Sequence, residues 1–400
     1  MHRVQVLSLR IPQGYEKALG AEHTSTLKTV NNLGLLYAYQ GKLVEAEQMH
    51  QRALQGKERA WGPEHTLTLD TVNNLGVLYK NQGKLVEAEQ MYQQALQGYE
   101  KAWGPEHTST LNTVNNLGLL YADQGKLVEA EQMYQRALQG MEKAWGLEHT
   151  STLDTVNNLG NLYRNQGKLV EAEQMHQRAL QGKEKAWGPE HTSTLKTVNN
   201  LGLLYKDQGK LAKAEQMYLR ALRGYENALY PEHTLTLTTV EDLGHVLQMR
   251  CYAAVKHSTR IIVHLNVKQL VSLCLKFPRS RQRLLIYLVR AFAWIGDSEN
   301  SIAAFEYQLA VSSSEYNFSC DGCDTKLGVD TSRFVCTVCE DRDLCKSCFD
   351  KLEGNEFEDS FLCQGHTFLE LDGTSMARSS SKEVETSCSI EQWLKDIAEQ

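Results

Sequence analysis

An internal repeat with a period of 42 residues runs through more than half of this sequence. In the unit 23–64, apolar residues at helical spacing precede Gln40-Gly41-Lys42 and resume after it, and Gly62-Pro63 ends the second run. Each unit is therefore predicted to be a hairpin of two helices. Because one hairpin cannot bury its apolar face alone, the units are expected to stack into a solenoid. The units begin at His23, His65, His107, His149, His191 and His233.

The unit has the spacing of a known repeat, formed in its first copy by Leu33, Gly34, Tyr37, Gly41, Ala46, His50 and Ala53. This spacing is that of the tetratricopeptide repeat (TPR). The 42-residue period, the paired Asn and the Gly-Pro-Glu-His junction resemble the longer TPRs of kinesin light chains. The near-identical copies also resemble arrays attached to fungal nucleotide-binding immune-type receptors. The resemblance implies an all-α TPR solenoid, a right-handed superhelix of α-hairpins, over residues 23–250. A partial repeat in 1–22 precedes it, and a helical capping region in 251–312 follows.

Four columns of the repeat that differ between copies fall on one face of the first helix, which in the TPR family lines a concave groove. In the first copy these are Lys28, Leu35, Ala38 and Tyr39. Variation at this face predicts a ligand-binding groove, and the alternative is drift of exposed positions after duplication. A fifth variable column, which begins with His50, falls at the packing aromatic of the second helix.

A pair of Asn residues recurs in the middle of each first helix, although Asn is a mediocre helix former. The resemblance implies that the first Asn points into the groove and holds the backbone of an extended peptide. The alternative is an inter-repeat hydrogen-bond ladder, which we favour for the second Asn. The predicted groove residues are Asn31, Asn73, Asn115, Asn157, Asn199, Lys80, Arg164 and Lys206.

The repeating His residues resemble a metal-binding series, but they lie one per repeat and are too far apart to converge on one ion. We predict that they have a structural role at a loop or helix start. A second series is predicted to pack at the ends of the hairpins, and it comprises Trp61, Trp103, Trp145 and Trp187.

A second region, residues 315–372, is acidic and rich in cysteine. Between Phe318 and Asp372 there are 13 acidic and five basic residues, a local charge of −8, whereas the whole chain carries −7. Clustered thiols without a signal peptide indicate metal ligands in a reducing compartment. Eight ligands at Cys-x2-Cys or Cys-x2-His spacing fill two closed tetrahedral sites for structural Zn²⁺ and leave no open position for catalysis. They are Cys320, Cys323, Cys336, Cys339, Cys345, Cys348, Cys363 and His366.

The segment 318–350, followed by Cys363-Gln-Gly-His366, resembles a ZZ-type zinc finger. The resemblance implies a small cross-braced module of α+β or β-hairpin type. One ion would be held by Cys320, Cys323, Cys345 and Cys348, and the other by Cys336, Cys339, Cys363 and His366. Several ZZ domains bind protein N-termini through acidic residues, and the alternative is that these residues only solvate the module or cap its turns. The matching positions are Asp321, Asp324, Asp341 and Asp343.

These features predict a non-enzymatic adaptor with a peptide in the TPR groove and a cationic or N-terminal peptide on the zinc module. The alternatives are a ubiquitin-ligase-like activity and a sensor fragment of a fungal nucleotide-binding immune-type receptor. We expect protein or peptide partners. The acidic zinc module argues against nucleic acid as a partner. The sequence contains no long apolar stretch, which argues against a membrane, and no P-loop motif, which argues against a nucleotide. We expect a cytoplasmic location, with the nucleus as the alternative. Residues 373–400 are predicted to be a linker and a short amphipathic helix.

Overall fold

The computed structural model describes residues 14–257, 259–295, 297, 300–301, 303–304 and 390–399, and five short strands between 318 and 371. Contacts divide the chain into two compact units, Met1–Gly188 and Pro189–Gln400. Repeats 1 to 4, which begin at His23, His65, His107 and His149, lie in the first unit. Repeat 5, which begins at His191, lies in the second unit together with the helices and strands that follow it.

In both units each repeat is a helical hairpin, which confirms the all-α solenoid predicted for the array. Residues 14–19 are also helical. The hairpins of the first unit are α1 (Thr24–Tyr39) with α2 (Leu43–Trp61), α3 (Thr66–Asn81) with α4 (Leu85–Trp103), α5 (Thr108–Asp123) with α6 (Leu127–Trp145), and α7 (Thr150–Asn165) with α8 (Leu169–Trp187). The second unit continues with α9 (Thr192–Asp207), α10 (Leu211–Ala228), α11 (Thr234–Lys256), α12 (Arg260–Lys276) and α13 (Arg281–Trp294).

One glycine sets the turn inside each hairpin. Gly41 has φ +74°, a left-handed conformation that residues with a side chain rarely adopt. Next to it, the Lys42 N–H donates to the Tyr37 carbonyl at 2.9 Å and closes the end of α1. The equivalent glycines of the other repeats have φ between +70° and +75°, so the same turn is formed each time.

The junction between two repeats uses a second glycine and a histidine. Gly62 has φ +87° and ends α2. His65 is the N-cap of α3, because its Nδ1 accepts the N–H of Leu67 at 3.2 Å. The Thr68 hydroxyl donates to the Gly62 carbonyl at 2.9 Å, and the Trp61 ring packs on the His65 ring with centroids 5.6 Å apart. His23, His107, His149, His191 and His233 cap their helices in the same way.

Apolar side chains fill the space within each hairpin and between neighbouring hairpins. The cluster of Leu69, Val72, Ala95 and Tyr99 lies within repeat 2. A second cluster joins repeat 2 to repeat 3 and consists of Ala88, Tyr92, Leu117 and Leu120. Every one of these side chains is at most 2% exposed, so a hairpin completes its core only against its neighbour.

The strands of the cysteine-rich region form two small antiparallel sheets. Strands β1 (Phe318–Ser319) and β2 (Lys326–Leu327) pair with each other. In the second sheet β3 (Arg333–Cys336) is central and lies between β4 (Asp343–Cys345) and β5 (Phe368–Leu371). The register pairs Arg333 with Cys345 and Cys336 with Phe368.

The helices after repeat 5 pack against one another, and we refer to them as the cap. Helix α11 continues to Lys256, beyond the predicted end of the array at residue 250. The predicted C-terminal amphipathic helix is α14 (Ile390–Glu399), and it packs against α12 with Leu394 fully buried and Ile397 6% exposed. In the part of the chain that the structure describes, no helix has the length and apolar character needed to cross a membrane.

Candidate functional site

A cavity of about 360 Å³ opens along the first helices of repeats 1 to 3. Its wall includes Lys28, Asp70 and Asn112, which occupy one of the variable columns, one residue from each of α1, α3 and α5. The wall also includes Asn31 and Asn73, so the structure brings two of the predicted groove residues together. This variable column therefore borders a concave surface.

The predicted groove asparagines are also part of a ladder between repeats. Oδ1 of Asn73 accepts hydrogen bonds from the Thr113 hydroxyl at 3.2 Å and from Nδ2 of Asn116 at 3.4 Å. Asn115 accepts in the same way from Thr155 and Asn158, at 3.1 and 3.4 Å. In repeat 5, Oδ1 of Asn199 accepts from Thr239 at 3.0 Å. The ladder that the sequence left as the alternative is thus present, and it engages the carbonyl oxygen of the first Asn.

Asn31 and Asn157 contact a His on the second helix of their own repeat, at a position where the other repeats have Tyr. Oδ1 of Asn31 lies 2.9 Å from Nδ1 of His50, and Oδ1 of Asn157 lies 3.2 Å from Nδ1 of His176. Both Asn side chains are buried in these repeats, at 6% and 3% exposure, whereas Asn73 is half-buried. Burial lowers the pKa of each His to about 4, helped at His50 by the charge of Lys57. At neutral pH both rings are therefore uncharged.

Three further residues of the cavity wall, Lys57, Trp61 and Tyr99, come from second helices. The Lys57 ammonium is buried and donates to the Leu67 carbonyl and the Thr71 hydroxyl, both at 2.8 Å. The Tyr99 hydroxyl donates to Oδ1 of Asp70 at 2.6 Å. Burial lowers the pKa of Lys57, although the carboxylate of Asp70 opposes that shift. The cavity wall thus carries a buried cation and an anion held by a phenol.

Sequence reasoning missed Lys57 and Tyr99, although the signal was present. Their column differs between copies as much as those of the first helix do. Only the first helix was assigned to the groove. The column reads Lys57, Tyr99, Met141, Lys183 and Tyr225.

The predicted basic residues of the groove do not line this cavity. Lys80 forms an ion pair with Asp123 of the next repeat at 3.3 Å. Arg164 donates to Oδ1 of Asn165 at 3.0 Å, and Lys206 is half-buried in the last turn of α9. The remaining predicted asparagines, Asn115, Asn157 and Asn199, also lie outside the wall of the cavity.

Of the eight predicted zinc ligands, only Cys336 and Cys345 fall on residues that the structure describes. Cys336 ends β3, and Cys345 ends β4 opposite Arg333, three positions back along β3. At a rise of about 3.4 Å per residue, the two positions are separated by roughly 10 Å along the strands. Among the predicted acidic residues, Asp343 begins β4 and pairs with Val335. The other predicted residues of the zinc module lie outside the described part, namely Cys320, Cys323, Cys339, Cys348, Cys363, His366, Asp321, Asp324 and Asp341.

Family models match both regions of the chain. The tetratricopeptide-repeat model matches residues 23–101, 66–143 and 151–227, and the model for the ZZ-type zinc finger matches 314–358. The chain is a tetratricopeptide-repeat protein with a C-terminal ZZ-type zinc finger. The second match includes six of the predicted ligands and ends before Cys363 and His366. A ZZ finger implies that this TPR protein binds zinc.

Several solved structures resemble this TPR–ZZ protein, including proteins related to kinesin light chains. BtubC (BKLC) from P. vanneervenii is 24% identical over 57% of this chain and 91% of its own, with a TM-score of 0.48. A putative kinesin light chain from Podosopora anserina with nearly identical TPR-like repeats is 22% identical, over 52% of this chain and 99% of its own, with a TM-score of 0.43. PilF from Pseudomonas aeruginosa is 17% identical over 61% and 91%, with a TM-score of 0.42. No curated protein matches the sequence.

The two modules indicate the broad class of function. TPR repeats indicate protein partners, and TPR scaffolds are typically non-enzymatic. Together with a ZZ-type zinc finger they indicate a protein-interaction adaptor.

Proposed function

We propose that this TPR–ZZ protein is a non-enzymatic adaptor that holds one peptide in the cavity of repeats 1 to 3 and a second, cationic peptide on its zinc finger. The observation that carries the first half is the orientation of Asn73. Since its carbonyl oxygen accepts from Thr113 and Asn116, its amide nitrogen is the group left for a ligand. Two N–H donors at that point suit the backbone carbonyls of an extended peptide.

Specificity then comes from the variable residues around that fixed amide. Lys28, Asp70 and Asn112 give the wall one cation, one anion and one neutral amide along three successive repeats. The volume of about 360 Å³ lies within the range of roughly 300–1,000 Å³ that is usual for ligand pockets. The proposed ligand is a short extended segment with an acidic, a basic and an uncharged polar side chain opposite repeats 1, 2 and 3.

A peptide selected from a random display library against the intact protein provides the test. Asn73→Ala is expected to weaken its binding at least tenfold, or about 1.4 kcal/mol. Asn116→Ala is the matched control, because it removes the same ladder hydrogen bond from the other side and leaves the Asn73 amide in place. Equal losses in the two variants, measured by fluorescence anisotropy, would show that the amide acts only through the ladder.

For the zinc finger we propose two Zn²⁺ ions in the cross-braced pairing. The separation of about 10 Å between the Cys336 and Cys345 positions supports different ions for these two, because sulfurs bound to one Zn²⁺ at about 2.3 Å are within about 4.6 Å of each other. Phe368, which follows His366 by two residues, pairs with Cys336, and this supports one ion for Cys336 and His366. Bound zinc would supply the covalent cross-links that a core of this size needs. Native mass spectrometry should find two ions per chain, and one ion would contradict the pairing.

The acidic zinc finger is proposed to bind a free α-amino terminus through Asp321, Asp324, Asp341 and Asp343. The local charge of −8 supports a cationic ligand. Calorimetric titration of the zinc-loaded full chain should show binding of a peptide with a free N-terminus and at least tenfold weaker binding of its acetylated form. Asp341→Asn should abolish that preference and leave the groove peptide unaffected. Equal affinity for both peptides would remove the N-terminus from the proposal.

A further inference from the structure

The C-terminal helix returns to the cap after the zinc finger. Its Trp393 indole N–H donates to Oδ1 of Asn300, which is 93 positions earlier in the sequence, at 3.2 Å. The Trp393 ring also lies 6.5 Å from the ring of Phe292 on α13. Leu394 is fully buried and Ile397 is 6% exposed, so α14 packs on the cap through its own apolar face. We call the surface that it covers the seat of α14. The segment that contains the zinc finger is thus anchored to the cap at both of its ends.

The seat of α14 has a cationic edge, and the helix itself is acidic. Nη2 of Arg281 lies 3.5 Å from Oε1 of Glu391, and its Nε donates to the Cys274 carbonyl at 3.0 Å. Lys268 and His264 lie on α12 on the same side as the cavity described next. The sequence of α14 contains three acidic residues and one lysine, so the charges of the helix and its seat are complementary.

The seat is larger than the helix that occupies it. A cavity of about 690 Å³ borders Ile397 and continues along the apolar residues Val263 and Val267 of α12 and Trp294 of α13. The carboxylate of Asp297 in its wall is engaged by the backbone and side-chain N–H groups of Asn300, at 3.1 and 2.8 Å. What remains in this wall is an apolar surface beside Lys268 and His264. Among the residues that the structure describes, only Ile397 of α14 borders this cavity, so α14 covers part of the groove.

We propose that this cap groove, formed by α12 and α13 with Arg281, Lys268 and His264 at its edge, is a docking site for an acidic amphipathic helix. The chain's own α14 occupies the site in cis, and a longer acidic helix from a protein partner displaces it. Displacement releases one of the two anchors of the zinc finger. The site thereby couples partner binding at the cap to the reach of the zinc finger.

The length of α14 makes the cis occupant replaceable. A helix of ten residues is too short to be stable by itself in water, so its helical form depends on the seat. A partner helix that also fills the cavity beside Ile397 buries more apolar surface, which favours exchange.

A fluorescein-labelled peptide of residues 389–400 tests the proposal by anisotropy. It is expected to bind the chain truncated after Cys388 with micromolar affinity and to bind the full chain at least tenfold more weakly, because α14 competes. A peptide with Leu394→Asp should not bind, whereas Lys395→Ala, at an exposed position of the same helix, should bind as the parent does. A peptide with Glu391→Lys and Glu399→Lys should bind at least fivefold more weakly, because the edge of the groove is cationic.

A second host keeps the test decisive if the truncated chain does not fold. The full chain with Leu394→Asp releases its own helix and should then bind the wild-type peptide as the truncated chain would. Circular dichroism establishes that each host is folded. The proposal is overturned if the peptide binds neither folded host, or if the wild-type and Leu394→Asp peptides bind equally well.

Discussion

Repeats 1 and 4 differ from repeats 2 and 3 in how the second helix fills its core. In repeats 1 and 4 the packing position is His50 or His176, and a buried lysine follows seven residues later. In repeats 2 and 3 the packing position is Tyr92 or Tyr134, and the later position is Tyr or Met. All four packing rings are at most 1% exposed, so the same space holds either an imidazole or a phenol.

The two classes of repeat give the predicted groove asparagine different partners. Next to His50, the Asn31 carbonyl turns towards the imidazole within its own repeat. In repeat 2, next to Tyr92, the Asn73 carbonyl bonds to the following repeat. The carbonyl of the first Asn thus bonds within its own repeat in repeat 1 and to the following repeat in repeat 2.

The largest effect expected from this difference is an additional sensitivity to acid in repeats 1 and 4. Their His residues have a folded pKa of about 4, below the unfolded value of 6.5, so the unfolded chain binds protons first. Stability is complete above pH 6.5 and falls as the pH drops towards 4, by about 3 kcal/mol per His at pH 4. Hydrogen exchange at decreasing pH should show α2 and α8 losing protection before α4 and α6.

The chain provides its own control for this prediction. The double variant His50→Tyr and His176→Tyr gives repeats 1 and 4 the residue of repeats 2 and 3. Its loss of stability between pH 6.5 and pH 4 should be smaller than that of the wild type by the amount assigned to the two His. An unchanged pH profile would mean that the buried imidazoles are not the source.

A smaller effect is expected from the glycine that faces the packing ring in both classes. A Cβ at Gly76 would lie 2.7 Å from Tyr92, and a Cβ at Gly34 would lie 2.8 Å from His50. Gly76→Ala and Gly34→Ala should each destabilise by about 1–3 kcal/mol, since overpacking outweighs the gain in helix propensity. Gly14→Ala, which has no atom within 4 Å, is the control and should be neutral in thermal unfolding. If Gly34→Ala leaves the thermal stability unchanged while Gly76→Ala lowers it, only the Tyr92 phenol fills the space next to the glycine.

The smallest effect compares a fully buried lysine with a half-buried one. Lys183 is 1% exposed and lies 2.7 Å from Asp154, whereas Lys80 is 17% exposed and lies 3.3 Å from Asp123. Asp154→Asn is expected to destabilise by about 1–2 kcal/mol, because a buried ammonium loses its anion while Asp154 itself is half open to water. Asp123→Asn should cost at most about 0.5 kcal/mol in urea unfolding. Equal losses of stability in Asp154→Asn and Asp123→Asn would show that the burial of the lysine makes no difference to its ion pair.

Much of the fold could be predicted from the sequence because the same pattern of apolar residues and glycines recurs in several copies. The positions of Gly41 and Gly62 ended helices at the predicted places, and the apolar spacing between them determined which faces are buried. The column of Lys28, which its variation assigned to a ligand-binding groove, borders the cavity, and its role in binding stays a prediction. The structural role predicted for the repeating His is that of a helix N-cap.

The rest depends on contacts that sequence order does not encode. The hydrogen bond between Asn31 and His50 joins two helices of one repeat, and periodicity alone does not show which ring is close enough. Lys57 was missed because it stands on a second helix and reaches the next repeat. The seat of α14 lies far back along the chain, so an amphipathic pattern at 390–399 gives no indication of where it packs.

The junction between repeats has a consequence for how such a gene changes. Within the first unit every junction consists of the same parts: a left-handed glycine, a His cap and a Thr hydroxyl on the glycine carbonyl. A unit of 42 residues inserted or deleted by recombination between two copies would therefore meet a neighbour whose contacts already exist. Array length can change in one genetic step without a new interface, and each step moves the residues of the groove into a new order.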